Sequence, residues 1–200
     1  TTKKGETTIM KNNIAELKNI INSYQPINEQ EEKDKDYMLW YLKCFGEKAL
    51  YRECLSGHFT TSVFLFNKNH TKAFMCYHLI DQSWAWLGGH ADGIADLKSV
   101  AIREIGEESS ITNFKLINDE KVSALTCIAI PGYVKNGEYV SSHIHLDVAF
   151  VGEADEDEKF EILPSENSGL KWINLNVLDK EVSDTWKMKR TYEKIIQQFK

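Results

Sequence analysis

GGHADGIADLKSVAIREIGEESSI, residues Gly88 to Ile111, joins a glycine-rich turn to a short segment of helical character. In a helix, residues three and four apart share one face, so Glu104, Glu107 and Glu108 are predicted to point toward one spot. Like charges at this spacing destabilise a helix. The triplet alone leaves two interpretations open, a Mg²⁺ or Mn²⁺ site built from oxygen ligands and a solvated acidic face.

The whole stretch resembles the Nudix box, usually written G-x5-E-x7-R-E-U-x-E-E-x-G-U, where U is a bulky aliphatic residue. The residues in register are Gly89, Arg103, Glu104, Ile105, Glu107, Glu108 and Ile111. The preceding WAWLGG, Trp84 to Gly89, is similar to the W-x-x-P-G-G strand and turn that leads into many Nudix helices, and GGHADG resembles a bacterial subgroup of the family. Residues from about Phe59 to the C-terminus fit the family's domain.

Two positions depart from the box. Ala95 stands where the family has its first Glu, which mainly holds the box arginine, so Asp92 and Asp96 are the candidates to pair with Arg103 instead. Ser110 stands where the second Gly is expected. A serine there costs energy if the helix ends in a left-handed residue, because a side chain with a Cβ disfavours positive φ.

The resemblance implies an α/β fold, the Nudix α/β/α sandwich with a mixed β-sheet, which the order of strands and helices also predicts. It implies hydrolysis of a diphosphate linkage, NDP-X to NMP and phospho-X, with Mg²⁺ or Mn²⁺ as the cofactor. The implied catalytic residues are Arg103, Glu104, Glu107 and Glu108, and the implied metal ligands are the three glutamates and the Gly89 backbone carbonyl. Arg103 is expected to orient the glutamates, and Glu104 is one candidate to accept the proton of the attacking water.

The segment His143 to Val151 alternates as a strand, with His143, His145 and Asp147 on the face opposite its apolar residues. That polar face is either solvated at a sheet edge or lines a cavity. In a cavity, His143 and His145 would bind the substrate. Trp84 is a third candidate for substrate binding, by stacking on a base, although strand aromatics more often belong to the core.

A further carboxylate from beyond the box often completes the metal shell, or acts as general base, in related enzymes. Glu153 and Glu166 are the candidates for this role. Residues 153–161 are most simply a solvated acidic loop. The physiological diphosphate is open, because Pro131 and Tyr133 fall a few residues late for the family's downstream substrate signatures.

The chain is predicted to have a disordered segment at 1–10, an N-terminal helical extension at 11–57 and a Nudix hydrolase domain at 58–200. Apolar residues from Ile14 to Tyr24 recur at helical spacing, and that helix ends at Gln25-Pro26. Asn28 and Glu31 predict a capping box for a second helix, whose apolar side runs from Met38 to Phe45. The extension would pack on the domain, shape the substrate cleft or form a homodimer contact, and the sequence does not choose among these.

Strands and turns are legible in the domain. The runs FTTSVFLFN and KAFMCYH predict a hairpin around Lys68 to Thr71. A second pair, Lys121 to Pro131 and Tyr139 to Gly152, flanks the turn signal Asn136-Gly137. Lys171 to Leu175 is a last short strand, and Thr185 to Phe199 is helical. Its apolar residues are Trp186, Met188, Tyr192, Ile195, Ile196 and Phe199.

Composition limits the partners. The net charge is −6 and the pI about 5.6, which disfavours a long nucleic acid and suits a small phosphorylated molecule. The four cysteines lack the C-x-x-C spacing of zinc sites. No apolar run reaches the roughly 18 residues of a membrane span, so no membrane is expected, and a cytoplasmic location fits best.

Two alternatives stay open. A non-catalytic Nudix module that senses a nucleotide is suggested by Ala95 and Ser110. An enzyme similar to isopentenyl-diphosphate isomerase would use a Cys and Glu pair, and Cys76 or Cys127 would then have to reach the cleft. The intact R-E-x-x-E-E segment favours hydrolysis over isomerisation.

Overall fold

The computed structural model describes residues 13–79, 82–162, 168–183 and 188–200. The helices are α1 (Ile14–Ser23), α2 (Glu29–Phe45), α3 (Leu97–Ser109), α4 (Leu178–Glu181) and α5 (Lys189–Phe199), with short 3-10 segments at Gly46–Leu50 and Asn118–Glu120. The strands are β1 (Gly57–Asn67), β2 (Lys72–His78), β3 (Ser83–Ala85), β4 (Leu87–His90), β5 (Phe114–Leu116), β6 (Ala124–Ile130), β7 (Tyr133–Lys135), β8 (Glu138–Val140), β9 (His143–Ala154) and β10 (Leu170–Asn174).

The main sheet is mixed and is built around β1. β1 runs parallel to β9 and antiparallel to β2 and β4, in the order β10-β2-β1-β9-β5, with β3 beside β2 and β6 beside β9. One sheet face packs against α1, α2 and α3 through residues such as Phe59 and Val63. The other face packs against α5 through residues such as Phe64 and Tyr192. The predicted α/β/α sandwich with a mixed sheet is confirmed.

Local sequence signals explain the strand connections. The predicted hairpin is β1 and β2, with Leu65 opposite Phe74. Asn136 and Gly137 have φ of 52° and 85°, as a tight hairpin turn requires, and they join the short strands β7 and β8. The longer strands outside this turn, β6 and β9, pair antiparallel as predicted.

The two N-terminal helices share a core with the sheet. α1 buries Leu17 and Ile21, and α2 buries Met38, Tyr41 and Leu42. Polar contacts to β6 also fix α2, because the Asp34 carboxylate accepts a hydrogen bond from the Cys127 backbone N–H at 2.9 Å. Of the roles left open by the sequence, packing on the rest of the chain is therefore observed. Ile20 and Trp40 depart from the predicted apolar faces, since they are 40% and 52% exposed.

The cap of α2 differs from the predicted capping box in one half. The Asn28 side chain accepts from the Glu31 N–H at 2.9 Å, as predicted. The Glu31 carboxylate does not return to Asn28 but accepts from the Ile27 N–H at 3.0 Å and the Tyr24 hydroxyl at 2.8 Å. It also forms a buried ion pair with Lys194 of α5. This pair joins the N-terminal helices to the C-terminal one.

Some expectations fall outside the described residues. These are the disorder of residues 1–10 and the start of the last helix at Thr185 and Trp186; within the described part that helix begins at Lys189. The division at residues 57 and 58 stays a prediction. Cys44, Cys54, Cys76 and Cys127 are free thiols. Among the described helices, none is long and apolar enough to cross a membrane.

Candidate active site

Glycines in β4 allow a close approach of three elements. A Cβ at residue 88 would lie 2.8 Å from the Ser62 Cα of β1. A Cβ at residue 89 would lie 2.5 Å from Oε2 and 2.7 Å from Oε1 of Glu104 on α3. All three distances are shorter than side-chain carbons tolerate, so the Gly88-Gly89 pair lets β4 contact β1 on one side and the box helix on the other.

The three glutamates of α3 have different surroundings. The Glu104 carboxylate lies against Gly89, and Glu108 is 5% exposed and accepts a hydrogen bond from the Gly88 N–H at 2.8 Å. The Glu107 side chain is 60% exposed. The three glutamates do not bring their carboxylate oxygens within 4.8 Å of one another as a group. Among the described residues, that condition is met by two other groups, one of three histidines and one that includes Glu108 with Cys76 and His78. Their joint action as metal ligands stays a prediction.

Arg103 lies between two of the glutamates. It forms ion pairs with Glu104 at 2.7 Å and with Glu107 at 3.4 Å, and the hydrogen bond to Glu104 raises the pKa of the guanidinium. These contacts fit the predicted orienting role of Arg103. Its positive charge also offsets the repulsion between the two carboxylates.

The predicted replacement for the missing box glutamate is wrong. Asp92 forms a two-point ion pair with Arg52, at 2.8 Å and 2.7 Å, and this hydrogen bonding lowers the pKa of Asp92. Asp96 caps α3 by accepting from the Ser99 N–H at 3.2 Å. Each carboxylate thus forms its hydrogen bonds elsewhere. Arg103 forms its ion pairs with the glutamates of its own helix, and the charge of Asp92 acts on it only from a greater distance.

The left-handed helix end considered at Ser110 is observed, and its energetic cost stays a prediction. This residue ends α3 with φ of 62° and ψ of 7°, in the left-handed region. Its N–H donates to the Gly106 carbonyl at 2.9 Å, which closes the last turn. A residue with a Cβ therefore occupies a position that favours glycine.

Cys76 and His78 of β2 lie beside Glu108. Their ligand atoms and a Glu108 carboxylate oxygen are all within 4.8 Å of one another. Burial, and then the charge of Glu108, raises the pKa of the Cys76 thiol well above its usual value. Of the two cysteines considered for isomerisation, Cys76 thus reaches the box helix, whereas Cys127 contacts Asp34 of α2.

The predicted polar face of β9 belongs to a cluster of four histidines. His143 and His145 of β9 lie next to His58 of β1 and His90 of β4, with ring centroids 4.9 to 5.1 Å apart in five of the pairs. Burial is the main cause that lowers the pKa of His145 to about 2 and of His90 to about 3. The rings of His145 and His90 are therefore neutral at pH 7.

Asp147 continues this polar face into the interior. Its Oδ1 accepts from the Thr60 hydroxyl at 2.7 Å and the Ser62 hydroxyl at 2.9 Å. Its Oδ2 has no hydrogen-bond partner among the described residues. Burial raises the pKa of Asp147 to about 6.

Trp84 lies in another part of the sheet. It packs edge-on against Tyr77 with ring centroids 5.3 Å apart, and Lys171 Nζ lies 4.3 Å from its ring centroid. β3, which carries it, pairs with β2 rather than with β9. The structure therefore brings His143 and His145 together and leaves Trp84 with β2 and β10.

Of the two carboxylates predicted to act from beyond the box, Glu153 and Glu166, the structure describes only Glu153. Glu153 forms ion pairs with Lys115 and His70, both at 2.7 Å, and these partners lower its pKa. In the sheet, Glu153 lies opposite Phe66 of β1, and Gly88 lies opposite Ser62 of the same strand. Phe66 and Ser62 are four residues apart along β1. That separation is about 13 Å, so Glu153 does not reach the box glutamates. Glu166 lies outside the described residues.

A cavity of about 1350 Å³ lies in another part of the described structure. Its walls come from α1, the start of α3 and the end of α5, including Leu17, Ile20 and Phe199. The lining contains Asp96 to Ser99 but none of the box residues 103–108. Ile20, which is 40% exposed, lines this cavity. The cavity does not contain the box glutamates, so it is not the proposed catalytic site.

Solved structures resemble this arrangement of sheet and helices. The E. coli dihydroneopterin triphosphate pyrophosphohydrolase superposes with a TM-score of 0.53, over 70% of this chain and 93% of that one, at 15% identity. This chain has the Nudix fold. At this level of identity the likeness establishes the fold alone.

Other Nudix structures are similar over a comparable share of the chain. A Nudix family hydrolase from Clostridium perfringens matches at 22% identity and a TM-score of 0.48, over 72% of this chain and 98% of that one. The Nudix domain of Shewanella oneidensis NrtR, solved with ADP ribose, matches at 13% identity and a TM-score of 0.49, over 71% and 88%. No protein-family model and no curated protein matches the sequence. The GGHADG subgroup stays a prediction.

Proposed function

We propose that this protein hydrolyses a diphosphate linkage, NDP-X to NMP and phospho-X, with Mg²⁺ or Mn²⁺. The observation that carries the proposal is the contact between Gly89 and Glu104, because it packs a carboxylate of the box helix directly against the backbone of β4. The Glu108 carboxylate lies on the Gly88 N–H of the same strand. The box sequence, the Nudix fold and this contact support one another.

The donor set suits a hard divalent cation. Glu104, Glu107 and Glu108, together with the Gly89 carbonyl, would hold it, and all of these ligands offer oxygen. The space that a Cβ at residue 89 would fill is instead available to the Glu104 carboxylate. When bound, the metal neutralises the diphosphate and lowers the pKa of a water.

The protein groups would then act around the reacting phosphorus. A carboxylate oxygen of Glu104 accepts the proton of the attacking water, and Arg103 holds Glu104 and Glu107 in place through its two ion pairs. His143 and His145 remain candidates for substrate binding. As a neutral ring, His145 offers hydrogen bonds rather than charge to a phosphate. Stacking of Trp84 on a base also stays a prediction.

The proposed partner is a small molecule. The net charge of −6 suits a phosphorylated substrate held by a metal better than a long nucleic acid. A homodimer and a cytoplasmic location stay predictions.

One observation supports a second candidate function, isomerisation of a diphosphate. The Cys76 thiol lies within 4.8 Å of Glu108, which is the kind of Cys and Glu pair that an enzyme similar to isopentenyl-diphosphate isomerase would need. The buried thiol, with its raised pKa, would be a proton donor rather than a thiolate. Isomerisation and hydrolysis differ in their products, so one assay separates them.

A mass-spectrometric screen tests the proposal. The protein is incubated with nucleoside triphosphates, ADP-ribose, nucleotide sugars, dinucleotides and non-nucleotide diphosphates, with Mg²⁺, with Mn²⁺ or with a chelator. Metal-dependent cleavage of any diphosphate supports hydrolysis. Conversion of isopentenyl diphosphate into its isomer would favour the second candidate. Ligands that raise the unfolding temperature while no product forms would favour a sensor.

A further inference from the structure

The histidine cluster contains three nitrogens in the arrangement of metal ligands. Ring nitrogens of His58, His143 and His145 all lie within 4.8 Å of one another, and His143 Nε2 is 3.1 Å from His145 Nε2. Two nitrogens bound to one tetrahedral Zn²⁺ at about 2.0–2.1 Å lie about 3.3 Å apart. The His143–His145 distance is close to this value, and the His58 nitrogen lies within 4.8 Å of both.

His58 is a buried member of the cluster with few polar contacts to the described part of the chain. It is 5% exposed, and neither of its ring nitrogens forms a hydrogen bond of normal geometry with a described residue, although the Cys54 backbone lies near enough to raise its pKa slightly against the larger effect of burial. A buried polar group without a partner costs about 1–3 kcal/mol, so nearly all such groups have one. The His58 ring also faces the other histidines of the cluster, at centroid distances of 5.0 to 5.1 Å. A ligand between these rings would satisfy it.

A second contact prepares His143 to bind a metal. Its Nδ1 donates to the Ser141 carbonyl at 2.8 Å, which leaves the lone pair on Nε2. A hydrogen bond from the other ring nitrogen to a backbone carbonyl is the usual way in which a ligating histidine is oriented.

We infer that His58, His143 and His145 form a site for a divalent first-row transition metal, separate from the carboxylates of the box helix. The all-nitrogen donor set selects Zn²⁺, Co²⁺, Ni²⁺ or Cu²⁺ over Mg²⁺. Three histidines leave one position of a tetrahedral ion open. His90 lies beside these ligands, with its ring 5.0 Å from His58 and 4.9 Å from His145.

Two paired strands carry the ligands, and a third carries the neighbouring His90. The parallel register of β1 and β9 places His58 opposite His145, and the antiparallel register of β1 and β4 places His90 opposite Thr60. His143 and His145 share one face of β9 because they are two residues apart. Ligands on paired strands are held by the sheet, so the site would need little rearrangement to bind an ion.

Metal titration of the full chain tests the inference. The protein is stripped with a chelator, returned to buffer with millimolar Mg²⁺, and titrated with Zn²⁺ by calorimetry and with Co²⁺ by visible absorption. We expect one equivalent of tight Zn²⁺ binding that Mg²⁺ does not displace. The Co²⁺ spectrum should have the bands of a tetrahedral site without the strong near-ultraviolet band of a thiolate ligand.

Single substitutions assign the ion to its ligands. His143→Asn and His145→Asn should each weaken Zn²⁺ binding at least tenfold, with circular dichroism showing that the metal-free variants fold. His70→Asn, a histidine in the β1–β2 turn that contacts Glu153, is the matched control and should bind as the wild type does. Glu108→Gln and Cys76→Ser should also retain binding, because they alter only the group beside the box helix.

Two results would overturn the inference. The first is no Zn²⁺ binding in the presence of Mg²⁺. The second is binding that survives both histidine substitutions and disappears in Glu108→Gln or Cys76→Ser. Neither result depends on hydrolysis, so failure here would leave the proposed function of the glutamates to its own test.

Discussion

Gly89 and Glu104 lie so close that the glycine has no room for a side chain: a Cβ at residue 89 would be 2.5 Å from Oε2 of the glutamate. Gly89→Ala should therefore displace the flexible Glu104 carboxylate rather than the backbone. We expect hydrolysis to fall at least tenfold while the free energy of unfolding changes by less than about 1 kcal/mol. Steady-state kinetics and urea denaturation of the purified variant measure the two effects.

Gly106→Ala is the matched control for that substitution. Gly106 lies in α3, the helix that carries Glu104, and a Cβ there would meet no atom within 4 Å. It should keep its activity and gain up to about 1 kcal/mol of stability from helix propensity. Equal activity of the two variants would contradict the proposed role of the Gly89 contact.

Ser110→Gly should stabilise the protein. The residue has φ of 62°, which costs an L-residue about 1–2 kcal/mol relative to glycine, and part of this gain is lost to the greater freedom of glycine in the unfolded chain. We expect a net gain of about 0.5–1 kcal/mol in urea denaturation. Ser99→Gly, in the first turn of the same helix, should lose about that much. A loss at both positions would contradict the account.

The stretch from Gly88 to Ile111, which resembles the Nudix box, predicted more of the fold than any other stretch of the sequence. The reason is that the residues of this motif are close in sequence and follow helical spacing. The left-handed end of α3 at Ser110 was foreseeable for the same reason. The hairpin β1–β2 and the turn Asn136-Gly137 also rest on local signals.

Contacts between distant residues could not be predicted in this way. Arg52 is 40 residues from Asp92, and nothing near either one indicates that they pair. His58 and His90 join the histidines of β9 only through the registers of β1 with β9 and with β4. The alternation of His58, Thr60 and Ser62 was a signal in the sequence for a polar face on β1, but it does not identify the neighbouring strand.

The buried pair Glu31 and Lys194 should contribute strongly to stability. Their side chains are 0% and 7% exposed, and removal of one charge leaves the other buried without a partner. Glu31→Gln should cost about 3–5 kcal/mol in urea denaturation, although it keeps an oxygen for the Ile27 and Tyr24 donors. The double variant Glu31→Gln with Lys194→Met should recover at least half of that loss.

An exposed ion pair provides the control for this prediction. Glu120 and Lys98 are 59% and 41% exposed, so Glu120→Gln should change stability by less than about 1 kcal/mol. A loss in Glu31→Gln no larger than in Glu120→Gln would show that the buried pair is not needed. No recovery in the double variant would attribute the loss to the lost hydrogen bonds instead of the unpaired charge.

Asp147 should make the protein less stable as the pH rises. Its pKa is about 6 in the folded protein, against an ordinary value of 3.8, so between these values the folded state holds more protons than the unfolded state. Stability from this group is present at low pH and is lost as the pH rises through about 6, by on the order of 3 kcal/mol in total. Burial lowers the pKa of the neighbouring His58, His90 and His145, so these groups make the folded state more stable as the pH rises. The comparison must therefore isolate Asp147.

The difference in unfolding free energy between wild type and Asp147→Asn, measured after chelator treatment from pH 4 to 7.5, isolates that group. The wild type should lose stability relative to the variant across this range. Thr60→Val removes a donor that lowers the pKa, so the decline should move to higher pH. A flat or rising difference would mean that the carboxylate is better solvated than its position indicates.

The turnover number for the substrate found in the screen, compared between wild type and Glu108→Gln with saturating Mg²⁺, tests the central claim most directly. Glutamine keeps an oxygen for the Gly88 N–H but removes the charge that would hold the metal. The account predicts a loss of at least about 100-fold with an unchanged unfolding temperature, while Glu120→Gln behaves as the wild type. Turnover by Glu108→Gln at the wild-type rate would contradict it.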